Sequence, residues 1–207
     1  MKKPHFIITG FEPFLQHERN PSAEVAHHTA ALLQQRYDQK AEHHTLPVTY
    51  DIARDFTTKL GASSDHILVH IGLAASRTHI SLERRAHNAC GTTPDNDQKL
   101  PGDLWSAPHG GLQQDGPQTS DTQLDLESLK QELEDYPHIT LPEVRITHDA
   151  GTYVCNAIYY HSLQHNKNSV FIHIPPMEPK QCMELSQALA HALHTLTLSQ
   201  PPQSDHQ

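Results

Sequence analysis

Short apolar runs alternate along the chain with longer amphipathic stretches, a pattern that predicts βα units around a largely parallel sheet. The predicted strands, in which apolar and β-branched residues recur, cover residues 5–9, 44–48, 65–71, 78–82, 144–147 and 170–174. The predicted helices, with apolar residues at helical spacing, cover residues 20–36, 51–60, 124–133, 152–164 and 178–196. The run at 65–71 is apolar enough to be a central strand. The pattern as a whole predicts an α/β fold.

The length of the chain favours a single domain. With 207 residues it can bury one sizeable core but not two comfortable ones. We expect one α/β domain over residues 1–198 and a disordered tail over residues 199–207. Residues 91–122 are rich in Gly, Pro, Asp, Gln and Thr. They are too many for an ordinary connection, which predicts either a functional loop or a mobile insertion.

The charge and the apolar content exclude several classes of partner. The formal net charge is −9 when all 19 histidines are counted as neutral, and partial protonation of the imidazoles at neutral pH brings it to roughly −4. A nucleic-acid-binding domain requires a basic face, so we expect no nucleic-acid partner. The N-terminal apolar run is too short for a signal peptide, and no apolar stretch approaches the length of a membrane span. We therefore expect a cytoplasmic protein with no membrane partner.

The cysteines and histidines do not form a recognisable metal motif. Cys90, Cys155 and Cys182 cannot all pair and show no CxxC spacing, which predicts free thiols in a reducing compartment. His161 and His165 stand four residues apart on a predicted helix, but two ligands do not make a closed site. We expect no metal and no cofactor.

Cys155 and His173 are the strongest candidates for chemistry. Cys155 falls in the first turn of a predicted helix, after Gly151, where the positive helix end and free N–H groups lower a thiol pKa and offer an oxyanion site. His173 lies at the end of the predicted strand 170–174, and ligands of α/β folds bind outside the carboxyl ends of the strands. If the two side chains meet, the protein is a cysteine hydrolase. The structural alternative is a small core cysteine and an unrelated histidine.

A cysteine and histidine pair needs a third group that orients the imidazole. Glu83, in the segment ISLERRAHN at 80–88, is one candidate, and Asp149 is another. Spacing alone does not select between them, and a charged segment of this kind is usually a solvated face.

A set of motifs between residue 6 and about residue 175 narrows the choice by resemblance. In chain order they are FIITGFEPF (6–14), NPS (20–22), GLA (72–74) with Arg77, ER (83–84) with Ala86 and Asn88, PDN (94–96), AGTYVCN (150–156) and FIHIP (171–175). Each motif alone is weak, but the ordered set resembles the pyroglutamyl peptidase I family, also called pyrrolidone carboxyl peptidases. The resemblance implies a three-layer α/β/α sandwich around a mostly parallel twisted sheet. It also implies a cofactor-free cysteine peptidase that removes an N-terminal pyroglutamyl residue from peptides.

The resemblance assigns a role to five residues of this chain. Cys155 corresponds to the nucleophile, His173 to the general base and acid, and Glu83 to the carboxylate that orients the imidazole. Phe11 and Phe14 correspond to two phenylalanines that flank the flat lactam ring of the substrate, whereas without the resemblance they would be ordinary core residues. Because the family commonly assembles into dimers or tetramers, the resemblance also makes a homo-oligomer an expectation.

The chain departs from the family pattern in three places. Residues 15–19 replace the usual Gly-Gly after Phe14, Ser76 replaces a glycine that could adopt positive φ, and Arg85 and His87 replace apolar residues. We expect these changes to alter the loop beside the ring pocket and the electrostatics near Glu83. They leave two alternatives open, a related cysteine amidohydrolase with a different substrate and a non-catalytic relative that binds lactam-capped ligands.

Overall fold

The computed structural model describes residues 3–60, 65–101 and 110–199 of the chain. Its strands are β1 (His5–Phe11), β2 (Lys40–Leu46), β3 (His66–Leu73), β4 (Ile80–Glu83), β5 (Arg85–His87), β6 (Thr119–Asp121), β7 (Val144–Thr147) and β8 (Ser169–Ile174). Its helices are α1 (Pro21–Tyr37), α2 (Tyr50–Leu60), α3 (Leu126–Glu134), α4 (Val154–His165) and α5 (Pro179–Ser199). Residues 102–109, part of the long segment 91–122, and residues 200–207, most of the expected tail, lie outside the described residues.

Within the described residues, six strands form the main sheet in the order β2-β1-β3-β8-β4-β7. The strands β2, β1, β3 and β8 run parallel to one another, β4 is antiparallel to β8, and β7 is parallel to β4. The short strands β5 and β6 form a separate antiparallel pair. The sheet is therefore mostly parallel, as predicted.

Helices cover both faces of the main sheet and enclose an apolar core on each side. On one face α1, α3 and α5 pack against Ile8 of β1, with Leu129 of α3 in the same core. On the other face α2 and α4 pack against Ile7, with Ile158 of α4 in that core. Neighbouring residues of a strand face opposite sides of the sheet, which is why Ile7 and Ile8 belong to different cores. This arrangement confirms the predicted α/β/α fold. Within the described ranges no helix has both the length and the apolar character needed to cross a bilayer.

Two parts of the fold differ from the sequence prediction. Strand β2 covers Lys40–Leu46 rather than 44–48, because it is an edge strand in which only Ala41 and Leu46 are buried. Strands β5 and β6 were not predicted, since each has three residues and one buried side chain, too few for a period-two pattern. The prediction of a loop throughout 91–122 is therefore wrong for the residues of β6.

The junction between β1 and α1 sets the path of the segment that carries Phe11 and Phe14. A Cβ atom at Gly10 would lie 2.4 Å from the carbonyl oxygen of Ser22, so the close approach of the strand to the helix requires glycine. The side chain of Asn20 caps α1 by accepting from the Ser22 N–H at 3.2 Å. The Ser22 hydroxyl in turn accepts from the Phe11 N–H at 3.0 Å. The start of α1 therefore fixes where β1 ends.

A buried histidine links three elements of the core. His70 on β3 is fully buried, and its ring nitrogens form hydrogen bonds of 2.8 Å with the hydroxyls of Thr9 on β1 and Ser162 on α4. Burial away from water lowers the pKa of His70 to about 3. The folded protein therefore keeps this imidazole neutral well below neutral pH.

We expect His70 to make the stability of the protein sensitive to acid. The unfolded chain takes up a proton on this ring near its ordinary pKa of 6.5, whereas the folded chain takes it up only near 3. The free energy of unfolding should therefore fall as the pH drops through this range, by up to about 1.4 kcal/mol per pH unit. A His70→Gln variant, which keeps one donor and one acceptor but does not titrate, should show a flatter dependence in urea unfolding at a series of pH values. The exposed His148→Gln serves as the control, and equal slopes in the parent and His70→Gln would contradict the prediction.

Candidate active site

The pairing of β4 with β8 brings Glu83 and His173 together. Glu83 ends β4 and pairs with Phe171 of β8, and His173 follows two residues later on the same strand. Side chains two residues apart share one face of a sheet, so Glu83 and His173 are diagonal neighbours within reach of each other. The His173 Nδ1 donates to Glu83 Oε1 at 2.8 Å. Of the two carboxylates that spacing left open, Glu83 is the one that contacts the imidazole.

A glycine on β3, next to His173 in the sheet, leaves space for the Cys155 sulfur. Gly72 pairs with His173 in the parallel register of β3 and β8, and paired positions of parallel strands face the same side. A Cβ atom at Gly72 would lie 3.2 Å from Cys155 Sγ and 2.7 Å from the ring of Phe171. The sulfur therefore borders the space that a side chain at position 72 would fill, and Gly72 is the strand neighbour of His173.

The first turn of α4, which carries Cys155, is anchored to the chain just after β4. Asn156 donates its amide to the carbonyl oxygens of His87 and Ala89 at 2.8 Å each and accepts from the His87 N–H at 2.9 Å. The N-cap residue Tyr153 forms no capping hydrogen bond through its own side chain. The N–H groups of this turn can therefore act as donors to an oxyanion.

Glu83 is fully buried, and its carboxyl group accepts from three side chains. Arg77 Nη1 donates at 2.6 Å to Oε1, the oxygen that His173 also contacts, and Thr147 Oγ1 donates at 2.6 Å to Oε2. Burial opposes ionisation, but the hydrogen bonds from His173, Thr147 and Arg77 together outweigh it and lower the pKa of Glu83. A carboxylate only accepts hydrogen bonds, so Nδ1 of His173 carries a proton. In the neutral ring, Nε2 is then the basic nitrogen.

Burial also dominates the titration of the other two groups. It lowers the pKa of His173 against the opposing influence of Glu83. Burial and the charge of Glu83 raise the pKa of the Cys155 thiol to about 12. The expectation of a lowered pKa for Cys155 is therefore wrong. A backbone hydrogen bond and Arg77 do favour the thiolate, but they do not outweigh burial. Burial therefore favours the neutral form of the thiol, although Cys155 keeps part of its surface open to solvent.

The two predicted ring-binding phenylalanines have different surroundings. Phe11 exposes 2% of its surface and stacks on Phe171 with ring centroids 6.2 Å apart, and Phe171 lies 4.6 Å from the His173 ring. Phe14 is half-buried, and its ring centroid lies 6.3 Å from that of Tyr153 at the start of α4. It borders a surface depression of about 620 Å³ lined by Pro13, Phe14, Leu15, Gln16, His17, Glu18 and Asn96. Phe14 offers open apolar surface, whereas Phe11 packs in the core behind the site.

The sequence and the fold agree with a known family of peptidases. A family model described as pyroglutamyl peptidase matches residues 4–197. The chain belongs to the pyroglutamyl peptidase family. The family that the ordered motifs predicted is therefore confirmed. The predicted class of enzyme, a cysteine-type omega peptidase, is confirmed with it.

Individual members of the family match over most of their length. Human pyroglutamyl-peptidase 1 is 30% identical over 190 residues, which cover 88% of this chain and 85% of the human protein. The pyrrolidone-carboxylate peptidase of Pyrococcus furiosus is 31% identical over 186 residues, which cover 86% of this chain and 83% of that protein. The solved structure of a mutant pyrrolidone carboxyl peptidase from the same hyperthermophile superposes with a TM-score of 0.75 at 24% identity, covering 94% of this chain and 98% of that one. The last comparison supports the shared fold.

The segment that replaces the Gly-Gly expected for a pyroglutamyl peptidase forms a tight turn. The His17 N–H donates to the Phe14 carbonyl oxygen at 2.9 Å. Leu15 within this turn is 58% exposed and has a φ of 50°, a left-handed conformation that costs a leucine about 1 kcal/mol relative to glycine. The turn therefore uses a backbone conformation that glycine favours, and it presents a leucine beside Phe14.

The other departures from the pyroglutamyl peptidase pattern leave Glu83 undisturbed. Ser76 does not adopt a positive φ, so its side chain adds no backbone strain. Arg85 forms two hydrogen bonds of 2.7 and 2.8 Å with an aspartate of β6. His87 donates from Nε2 to the carbonyl oxygen of His148 at 2.8 Å. Both polar replacements contact partners other than Glu83.

Several residues that support the site were not predicted from the sequence. Thr147 reaches Glu83 because the two pair in the register of β4 and β7, which only the order of strands reveals. Asp95 is buried, and its carboxylate accepts from the Tyr50 N–H at 2.8 Å. The Tyr153 hydroxyl donates at 3.1 Å to the carbonyl oxygen of the residue before Asp95. The PDN motif at 94–96 was the only signal of this support in the sequence.

Proposed function

We propose that the protein hydrolyses the amide bond after an N-terminal pyroglutamyl residue of a peptide, with Cys155 as nucleophile, His173 as general base and acid, and Glu83 as orienting carboxylate. The observation that carries this assignment is the 2.8 Å hydrogen bond from His173 Nδ1 to Glu83. It leaves Nε2 as the nitrogen that can accept a proton from a thiol. The position of the Cys155 sulfur beside Gly72, the strand neighbour of His173, supports its role.

The reaction starts from neutral groups, because burial disfavours both the thiolate and the imidazolium. His173 Nε2 takes the thiol proton as Cys155 Sγ bonds to the carbonyl carbon of the pyroglutamyl residue, and the C=O electron pair moves to oxygen. The N–H groups of the first turn of α4 bind this oxyanion. The carbonyl then re-forms, the C–N bond breaks, and His173 gives its proton to the departing amine.

The second half of the reaction consumes a water molecule. After the amine has left, the pyroglutamyl group is bound to Cys155 as a thioester. The oxygen of the water attacks the thioester carbon while His173 takes a proton from the same water, and the C–S bond then breaks. Pyroglutamate leaves, and the proton returns to the Cys155 sulfur. In both halves the negative charge of Glu83 stabilises the imidazolium that forms transiently, because the two groups are already in contact.

The ring of the substrate is assigned to the surface that Phe14 offers, with Phe11 supporting this wall from the core. Pyroglutamate has no charged amine and is partly apolar, so an aromatic wall can hold the flat ring while backbone groups bind its amide. The approach of the Phe14 ring to Tyr153 supports this choice, since Tyr153 stands two residues before Cys155.

A set of fluorogenic amides tests the proposal. The purified protein should release the reporter from a pyroglutamyl amide but not from matched prolyl or glutamyl amides, because these carry a charged amine and lack the lactam carbonyl. A thiol alkylator should abolish the release. Absence of turnover with a reactive Cys155 would contradict the proposal in favour of an amidohydrolase with another substrate. Binding of a pyroglutamyl peptide without cleavage would contradict it in favour of a non-catalytic relative.

The cell compartment and the assembly belong to the same proposal. The peptidase is cytoplasmic and acts as one domain over residues 1–198, and the free thiols of Cys90, Cys155 and Cys182 support a reducing compartment. The expected dimer or tetramer rests on the family alone. Light scattering of the purified chain tests it, and a monomer at micromolar concentration would contradict it.

A further inference from the structure

Arg77 joins two parts of the site that are distant in sequence. It lies in the connection between β3 and β4, and 24% of its side chain is exposed. Its Nη1 donates to Glu83 Oε1 at 2.6 Å, and its Nη2 donates to the carbonyl oxygen of Asp149 at 2.9 Å. The Asp149 carboxylate accepts from the Gly151 N–H at 2.9 Å. One guanidinium therefore ties the orienting carboxylate to the segment that leads into α4 and Cys155.

The contact with Glu83 is unlike an ordinary surface ion pair. Glu83 is fully buried, and the oxygen that accepts from Arg77 is the same oxygen that accepts from His173. Two donors on one carboxylate oxygen compete for its electron density, and in a poorly hydrated site such competition is weakly screened. Arg77 therefore acts on the imidazole through the carboxylate.

The charges around His173 have opposing effects on its pKa. Burial lowers the pKa most, the contact with Glu83 on β4 raises it, the positive charge of Arg77 lowers it, and Asp149 before α4 raises it. For the thiol of Cys155 on α4, burial and the charge of Glu83 favour the neutral form. Without Arg77, the negative charges of Glu83 and Asp149 would both raise the pKa of His173, and the positive charge that opposes them would be lost.

We propose that Arg77 is a positioning residue of this active site. Its guanidinium balances the charge of Glu83 so that His173 stays unprotonated and able to act as a base, and its second contact holds the segment before Cys155. The effect of Arg77 on the charge of His173 is supported by the contacts of Arg77 and His173 with the same oxygen of Glu83, whether or not the protein turns over a substrate. The effect on turnover rests on the proposed function.

Two substitutions separate the charge of Arg77 from its geometry. Arg77→Gln removes the charge, and we expect the titration midpoint of His173 to rise by about one pH unit. Arg77→Lys keeps the charge but cannot make two contacts in fixed directions. It should leave the midpoint close to that of the parent while lowering kcat by about tenfold. The matched control is Arg145→Gln, which removes an equally charged side chain that is half exposed and paired with Glu143 on the surface.

Two measurements report the result. NMR titration of labelled histidine, with the His173 signal assigned by its loss in His173→Asn, gives the midpoint without any substrate. The pH profile of kcat/KM for a pyroglutamyl amide reports the same group of the free enzyme through its activity, and the acid limb of this profile should move to higher pH in Arg77→Gln. An unchanged midpoint in Arg77→Gln, or an equal shift in Arg145→Gln, would overturn the proposal. If the parent cleaved no pyroglutamyl amide, the proposed function would fail, and the NMR midpoint would still decide the role of Arg77.

Discussion

Replacing Cys155 with serine is expected to lower kcat/KM for a pyroglutamyl amide by about 10⁴-fold or more. Serine nearly preserves the shape of the side chain, but its hydroxyl is a far weaker acid than a thiol. The transfer of a proton to His173 would then be much less favourable, because burial already disfavours charge at this position. The measurement is the rate of reporter release under conditions where kcat/KM is observed directly.

The control for this substitution is Cys90→Ser. Cys90 is partly exposed, and its thiol donates to the carbonyl oxygen of Gly110, a contact that a serine hydroxyl can also make. We expect the activity of Cys90→Ser to stay within about threefold of the parent, as for other substitutions outside a reacting group. Loss of activity in both variants alike would contradict the assignment of Cys155 as the nucleophile.

The reactivity of the same thiol tests its resting state. With a pKa near 12 for Cys155, the rate of alkylation by iodoacetamide should keep rising between about pH 7 and about pH 10, since only the thiolate reacts. The alkylation rate of the Cys155→Ser variant gives the contribution of the other two cysteines, which is subtracted. A rate that is already constant at acidic pH would show a resting thiolate and imidazolium pair instead of neutral groups.

The sequence predicted the chemical groups of the site better than their electrostatics. Cys155 and His173 could be located because each stands at the end of an element with a strong apolar pattern, in α4 and β8. The pKa of Cys155 was predicted in the wrong direction. The local sequence determines where the cysteine lies on its helix. Its burial depends instead on Gly72 and Phe171, residues of the sheet that are distant in sequence.

The order of the strands explains what sequence spacing left open. On spacing alone Glu83 and Asp149 were equal candidates, and only the family resemblance favoured Glu83. The antiparallel pairing of β4 with β8 gives the physical reason, because it sets Glu83 diagonally opposite His173. The same order brings Thr147 to the carboxylate, whereas Arg77 reaches it from the connection before β4. The sequence spacing does not predict these contacts. The partners of Glu83 are Arg77, Thr147 and His173, which lie 6, 64 and 90 residues away along the chain.

Glu83→Gln is the second substitution with a large expected effect, a fall in kcat of about 10²–10⁴-fold with a smaller change in KM. The amide has nearly the shape of the carboxylate but cannot accept from His173, Arg77 and Thr147 in the same way, since one of its two polar atoms is a donor. If its NH₂ group faces Nδ1, the imidazole carries its proton on Nε2 and cannot accept one from Cys155. If its oxygen faces Nδ1, the tautomer is kept but the imidazolium loses its counter-charge.

The pH profile distinguishes this effect from a general loss of structure. Glu83 raises the pKa of His173 and Arg77 lowers it, so the acid limb of kcat/KM should move to lower pH in Glu83→Gln and to higher pH in Arg77→Gln. The control is Glu127→Gln, which makes the same chemical change at an exposed carboxylate paired with Arg84 at 3.1 Å. A kcat within tenfold of the parent, or an acid limb that moves upward in Glu83→Gln, would contradict the role of Glu83. Opposite shifts from two substitutions at one hydrogen-bonded pair are not expected from misfolding, because partial unfolding exposes His173 to water in either variant.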